Sequence, residues 1–202
     1  FHKDALEVLR QPLEDGCVTI SRVYGSFRYP SRMMLVCAMN PCACGWYGHP
    51  SGKCRCSPLS VSKYVSRISG PLLDRIDLHV DVPSVAYRDL AARAPAEPSE
   101  RIKARVDEAR KRQLARYAGT GVLCNSELTP GLMKRFCPLD MEGGRLMESA
   151  FRALHLTARS HDRVLKVART IADLAGEEQI RSSHLAEALQ FRGAEFAPLS
   201  PA

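Results

Sequence analysis

The stretch from Asn40 to Pro58, NPCACGWYGHPSGKCRCSP, holds four of the chain's eight cysteines as two C-x-C pairs, Cys42 with Cys44 and Cys54 with Cys56. Side chains at i and i+2 of an extended segment point the same way, so each pair can aim both sulfurs at one point. Four thiolates around a tetrahedral Zn2+ would make a closed structural centre with no position left for water. The one-residue gap is shorter than the usual spacing of structural zinc pairs, so free thiols and a disulfide or redox couple stay open beside zinc. His49 stands between the pairs and either replaces one sulfur or faces solvent. Trp46 and Tyr47 either stack on a nucleic-acid base or pack over the clip.

Arginines carry the remaining chemistry. Arg75, in LLDRID, follows an apolar turn, where a guanidinium at a subunit edge could reach a neighbour's γ-phosphate. Such a finger accelerates phosphoryl transfer by roughly 10³ to 10⁵. The plainer alternative is an ion pair with Asp74 or Asp77. Arg159 and Arg163 open an amphipathic helix against its macrodipole, which points either to an anion bound there or to a solvated surface. Arg22 and Arg28 sit on a predicted hairpin. The chain has no G-x-x-x-x-G-K-[ST] phosphate loop, and no nucleophile, base and orienter can be assembled from spacing. This chain alone is therefore not expected to hydrolyse a nucleotide.

The elements that must position these residues are legible in outline. FHKDALEVLRQPLED spaces Ala5, Leu6, Leu9 and Leu13 helically with no cap ahead of Phe1, as in a helix cut from a longer protein. CVTISRVYGSFRYP predicts a β-hairpin over 17–29 that turns at Tyr24-Gly25-Ser26. The apolar run Met33 to Met39 predicts a strand buried on both faces, whose open edge would invite dimerisation or swapping. It delivers the chain to Asn40 and the cysteine loop, 41–57. A short helix from Ser60 to Ile68, a helical turn at Leu72-Leu73 and an alternating strand from Ile76 to Val82 follow.

Residues 84–98 read as a linker, with Pro95 and Pro98 as breakers. Beyond it everything reads as helix: Glu100 to Tyr117 capped by Ser99, segments near 129–136 and 140–154, then TARSHDRVLKVARTIADLAG. That last stretch places Val164, Val167, Ala168, Ile171 and Ala175 on one face and stops at Gly176. Ser182 or Ser183 caps a final helix, and 194–202 is expected to be a disordered tail. The fold class is α/β followed by all-α, a partial α/β core over 1–83 and a helical domain over 99–193.

At 202 residues the chain can bury a core without help from its cysteines. No signal-peptide pattern and no apolar run of membrane-spanning length is present, so a cytoplasmic protein without a membrane partner is expected. In that reducing compartment thiols hold metal more often than each other. The 29 Lys and Arg against 22 Asp and Glu, net +7, suit an anionic partner such as nucleic acid or nucleotide.

Three segments, CAMNPCACG, SRISGPLLDRIDLHVDVP and ARSHDRVLKVARTIADLAG, resemble in order and spacing the C-terminal portion of the ComM/YifB proteins, magnesium-chelatase-like AAA+ ATPases. The resemblance runs to about Arg192. It implies the sensor 1 half of an AAA+ core, with its β-hairpin, followed by a helical lid. It also implies Walker A and Walker B elements upstream of Phe1, and ATP and Mg2+ bound only by the longer parent. That parent would be a hexameric ring working on DNA as a branch-migration helicase in natural transformation or recombination. By the same resemblance Asn40 is the sensor 1 residue that orients the attacking water, and Arg75 is an arginine finger offered in trans. Arg159 is the sensor 2 arginine, with Arg163 a second candidate for the nucleotide. Arg22, and with it Arg28, are candidates for DNA contact from the hairpin. Zinc is not inherited, because the family does not uniformly carry all four cysteines. A free-standing zinc-stabilised nucleic-acid-binding module that needs no ATP is the competing reading. A magnesium chelatase subunit is a third, for which the residues suggest no tetrapyrrole site.

Overall fold

The computed structural model describes residues 2–85, 87, 91 and 97–193. The expected tail and most of the expected linker lie outside the described residues. The chain divides into two compact units, one up to Ile76 and one from Asp77 onward.

In the first unit the opening helix is split into α1 (Lys3–Glu7) and α2 (Arg10–Asp15). Pro12 accounts for the break, because its ring crowds the carbonyl of Val8 and it has no N–H to donate there. Gly16, in the left-handed conformation at φ +61°, ends α2. The hairpin follows as β1 (Cys17–Arg22) and β2 (Gly25–Pro30), paired antiparallel from Cys17 opposite Pro30 to Arg22 opposite Gly25. Its turn is Val23-Tyr24, one residue earlier than the sequence suggested. This register puts Val18, Ile20, Phe27 and Tyr29 on one face, with Arg22 at its tip, and Arg28 with Cys17 and Thr19 on the other.

The expected buried strand from Met33 to Met39 is not formed among the described residues. The segment is irregular and open to solvent, with Met34 90% and Val36 84% exposed. A strand hidden on both faces needs ladder partners and cover from both sides, and the described residues supply neither. Helices α3 (Pro58–Val65) and α4 (Gly70–Leu73) start from Ser57 and Ser69, whose hydroxyls accept the N–H of Ser60 and Leu72. Val61 on α3 and Leu72 on α4 are buried, as are Cys17 and Cys42 in the same unit.

The second unit is helical: α5 (Ser99–Arg116), a 3-10 turn (Asn125–Glu127), α6 (Pro130–Phe136), α7 (Met141–Ala153), α8 (Ala158–Ala175) and α9 (Ser182–Gly193). Ser99 is already helical, Pro98 holds the cap position of α5, and no side chain makes a cap bond there. Asp140 and Thr157 do cap α7 and α8, and Gly176 ends α8 at φ +81° as its position predicted. The core is contiguous, with Tyr117, Met133, Val164, Ala168, Leu185 and Ala188 at its centre.

The alternating strand expected from Ile76 to Val82 is likewise not paired into a sheet. Within it the His79 N–H donates to the Phe191 carbonyl at 3.0 Å, one of the orphan carbonyls near the end of α9. The described fold is thus one two-stranded antiparallel sheet and helices, compatible with an α/β fragment followed by a helical domain.

Candidate functional site

The cysteine loop closes on itself. The Cys42 sulfur lies 3.3 Å from that of Cys44 and 3.8 Å from that of Cys54, and Cys44 and Cys54 are 3.6 Å apart. With Cys56, all four sulfurs lie within 4.8 Å of one another. Zn–S bonds of about 2.3 Å in a tetrahedron require sulfur–sulfur edges of about 3.8 Å, so the donor set fits a four-coordinate metal that prefers soft ligands. Gly45, at φ +81°, donates its N–H to the Cys42 carbonyl at 3.0 Å and turns the chain back so that the first pair faces the second.

The electrostatics of the four sulfurs favour one thiolate and resist more. Burial opposes charge at Cys42, but the Cys44 thiol and the N–H groups of Tyr47 and Cys44 donate to its sulfur and bring it down to about 6. At Cys54 the Cys56 N–H favours the thiolate, yet burial and the neighbouring sulfurs push it up to about 11. A dication at the centre removes that mutual repulsion. His49 takes no part: its ring meets Trp46 edge-on at 4.8 Å, and its Nδ1 lies 2.7 Å from Ser51 Oγ.

The arginines are placed more variously. Arg75 donates from Nη1 to the Pro71 carbonyl at 2.7 Å and sets Nε 3.0 Å from Glu14, an ion pair with a residue distant in sequence. Asp77 takes Arg163. Arg159 is exposed in the first turn of α8. Arg28 turns back along its own hairpin, Nε donating to the Cys17 sulfur at 2.8 Å, whereas Arg22 stands exposed beside the turn. Asn40 is exposed and lies over Gly45, its amide nitrogen 3.6 Å from where a Cβ would stand, so it joins the cysteine turn rather than ending a strand.

With that geometry in view, the whole chain can be compared with known proteins. Residues 1–90 match the family described as magnesium chelatase, subunit ChlI, and residues 96–192 match the family of the C-terminal part of that subunit. Competence protein ComM of Haemophilus influenzae is 39% identical over 95% of this chain, and YifB of Escherichia coli 37% identical over the same share. The chain belongs to the magnesium-chelatase-like ComM/YifB family. A Mycobacterium bovis protein is 38% identical over 93% of the chain. The chain spans 37% of the length of each of these relatives.

Two features of this magnesium-chelatase-like chain escape motif reading. The first is a buried polar network in the helical unit. The Asp173 carboxylate, fully buried on α8, accepts a two-pronged pair from Arg116, pairs with Arg169 at 3.1 Å and takes the Asn125 amide at 2.9 Å. Arg169, 1% exposed, also donates to the carbonyls of Glu177 and Glu178 at 2.6 Å each, and the Tyr117 hydroxyl donates to Asn125 at 2.5 Å. The sequence signal was an aspartate inside the apolar run IADLAG. The second feature is the distribution of charge. Between Asp15 and Asp74 stand seven Lys and Arg and no Asp or Glu, so the whole net charge of +7 resides there and the rest of the chain is balanced.

Proposed function

We propose that this chain is the sensor and lid portion of an ATP-driven motor that works on DNA, supplying Asn40, Arg75 and Arg159 to nucleotide sites whose phosphate loop belongs to the rest of the parent. The observation that carries the reading is the collinear similarity to the competence protein ComM across 95% of the chain. The +7 concentrated between Asp15 and Asp74 supports a polyanionic substrate, and Arg22 at the hairpin tip is the first candidate to meet it. The parent acts as a ring, because a finger such as Arg75 serves a neighbour's site. In that ring Arg75 exchanges Glu14 for a γ-phosphate, and Arg159, beside the Asp77-paired Arg163, meets the nucleotide from the lid.

The metal of the cysteine cluster is zinc in this reading, held by Cys42, Cys44, Cys54 and Cys56. Its chemistry is structural: a closed four-sulfur shell leaves no position for a substrate, and the ion fixes the turn that carries Asn40.

The test is ATPase activity of the chain alone and of the chain joined to the upstream phosphate-loop segment that this reading assigns to the parent. The chain alone is expected to be inactive. The joined protein should show DNA-stimulated hydrolysis that Arg75→Ala lowers by at least about 10³. Hydrolysis insensitive to Arg75→Ala and Arg159→Ala would refute the assignment. Metal chelation is a second reading, favoured by the description of the matching family alone; it requires ATP-dependent Mg2+ insertion into a porphyrin and no dependence on DNA.

A further inference from the structure

The cysteine loop carries a large aromatic side chain at its surface. Trp46, the chain's single tryptophan, is 39% exposed on the arc between the two cysteine pairs. The ammonium of Lys53 sits over its ring, 4.9 Å from the centroid, and His49 meets it edge-on. Gly45, Gly48 and Gly52 all adopt left-handed turns, so the arc reverses sharply between the two pairs. The four sulfurs pin both ends of that arc together. Lys53 precedes the second pair and Arg55 stands between its two cysteines, and the loop lies inside the 58-residue stretch that has no carboxylate side chain. A tetrathiolate zinc centre would itself carry a formal charge of about −2, which still leaves that stretch strongly positive.

From these observations we propose that the cysteine loop is a contact for single-stranded nucleic acid, with one base stacked on Trp46 and the adjoining phosphates held by Lys53 and Arg55. This rests on the DNA-motor reading above and adds to it a location and a preferred form of the polymer. The chemistry selects this occupant. An exposed indole bordered by cations and free of carboxylates offers a π-face for a base and charge for its backbone. An apolar protein partner would gain nothing from the cations, and a duplex keeps its base faces stacked inside. The cation over the ring does not oppose stacking, because a base that displaces Lys53 from the indole brings a phosphate to receive it.

Since Trp46 is the only tryptophan, its emission reports this loop and nothing else. The whole zinc-loaded chain is titrated with an oligothymidine of about 20 nucleotides at about 50 mM salt, following both tryptophan emission and the anisotropy of a labelled oligonucleotide. Saturable quenching is expected. Trp46→Ala should weaken the anisotropy-measured affinity about 10-fold or more, while Trp46→Phe keeps most of it. Lys53→Ala should make the salt dependence shallower by about 0.7 in log–log slope. Metal content and circular dichroism confirm that each variant keeps its fold. Binding with unchanged emission, or with wild-type affinity in Trp46→Ala, overturns the loop contact and leaves the DNA-motor reading standing. Equal quenching by duplex overturns the preference for single strands. No binding of either form overturns both readings.

Discussion

Asp173→Asn is the sharpest test of how the helical unit is held together. The substitution keeps the shape of the side chain and removes its charge. In the native unit this one carboxylate is the shared counter-charge of two guanidiniums, Arg169 at 1% exposure and the mostly buried Arg116, and accepts the Asn125 amide as well. The amide that replaces it turns an NH2 group toward at least one existing donor and leaves two buried cations without a counter-charge. Breaking a buried pair from one side costs about 3–5 kcal/mol. Domains of this kind are stable by about 5–15 kcal/mol, so a large share is at stake. With a urea slope of about 2 kcal/mol per molar, the midpoint should fall by about 2 M. Far-ultraviolet circular dichroism reads the helical unit, while Trp46 emission reports the first unit and should keep its own transition. Arg116→Met is expected to cost less, about 1.5–3 kcal/mol, because Asp173 retains Arg169 and Asn125. The double variant should be less destabilised than the sum. A drop below about 1 kcal/mol for Asp173→Asn, or simple additivity, would refute the account of a shared buried counter-charge.

Freshly purified chain should contain about one zinc, and Cys54→Ser with Cys56→Ser should lose it; metal-free protein with readily titrated thiols would leave the loop without its brace. In the metal-loaded chain a thiol reagent should reach Cys37 first and leave Cys137 nearly untouched at neutral pH, since burial pushes the Cys137 thiol up to about 11 and keeps it protonated. Fast labelling of Cys137 in folded protein would contradict its burial. Gly176→Ala should destabilise the helical unit by about 1–2 kcal/mol in the same urea assay, because φ is +81° there and the new Cβ would stand 3.3 Å from an Arg112 guanidinium nitrogen. An unchanged midpoint would show that the end of α8 can relax without cost.

What the sequence disclosed depended on how local the cause was. Ser57, Asp140, Thr157 and Gly176 set helix ends through bonds and dihedrals within a few residues: positions 140 to 176 follow the pattern closely, and the helix expected from Ser60 to Ile68 forms at Pro58–Val65, drawn toward its Ser57 cap. The cysteine cluster was legible for the same reason, because i and i+2 geometry does not need a distant partner. The two expected strands failed because strand formation is non-local: the apolar run at Met33 to Met39 and the alternation at Ile76 to Val82 name faces, and only neighbouring strands turn such faces into a sheet. The Asp173 network was invisible for a related reason. Arg116 and Asn125 lie 57 and 48 residues from the aspartate they serve, beyond any spacing rule. Arg75 shows the same limit, since proximity in sequence offered Asp74 or Asp77 as its plainer partner and the fold brings it Glu14, distant in sequence.

Charge divides the chain into two regimes, and salt should separate them. Between Asp15 and Asp74 the cations outnumber carboxylates seven to none, so beyond the cysteine sulfurs their counter-charges lie outside that stretch or on a bound anion. If all seven touched phosphates of a single strand, the slope of log affinity against log salt would approach about −5, and a fourfold rise in salt would weaken binding about 10³-fold. The helical unit holds its largest charges in the opposite way, two guanidiniums closed over a carboxylate that water does not reach, where screening is weak. The affinity for nucleic acid should therefore collapse between about 50 and 200 mM salt while the urea midpoint of the helical unit barely moves. A midpoint that falls with salt as steeply as the affinity would mean that exposed pairs, and not the Asp173 network, carry the helical unit. An affinity indifferent to salt would mean that the positive stretch does not face the polymer at all.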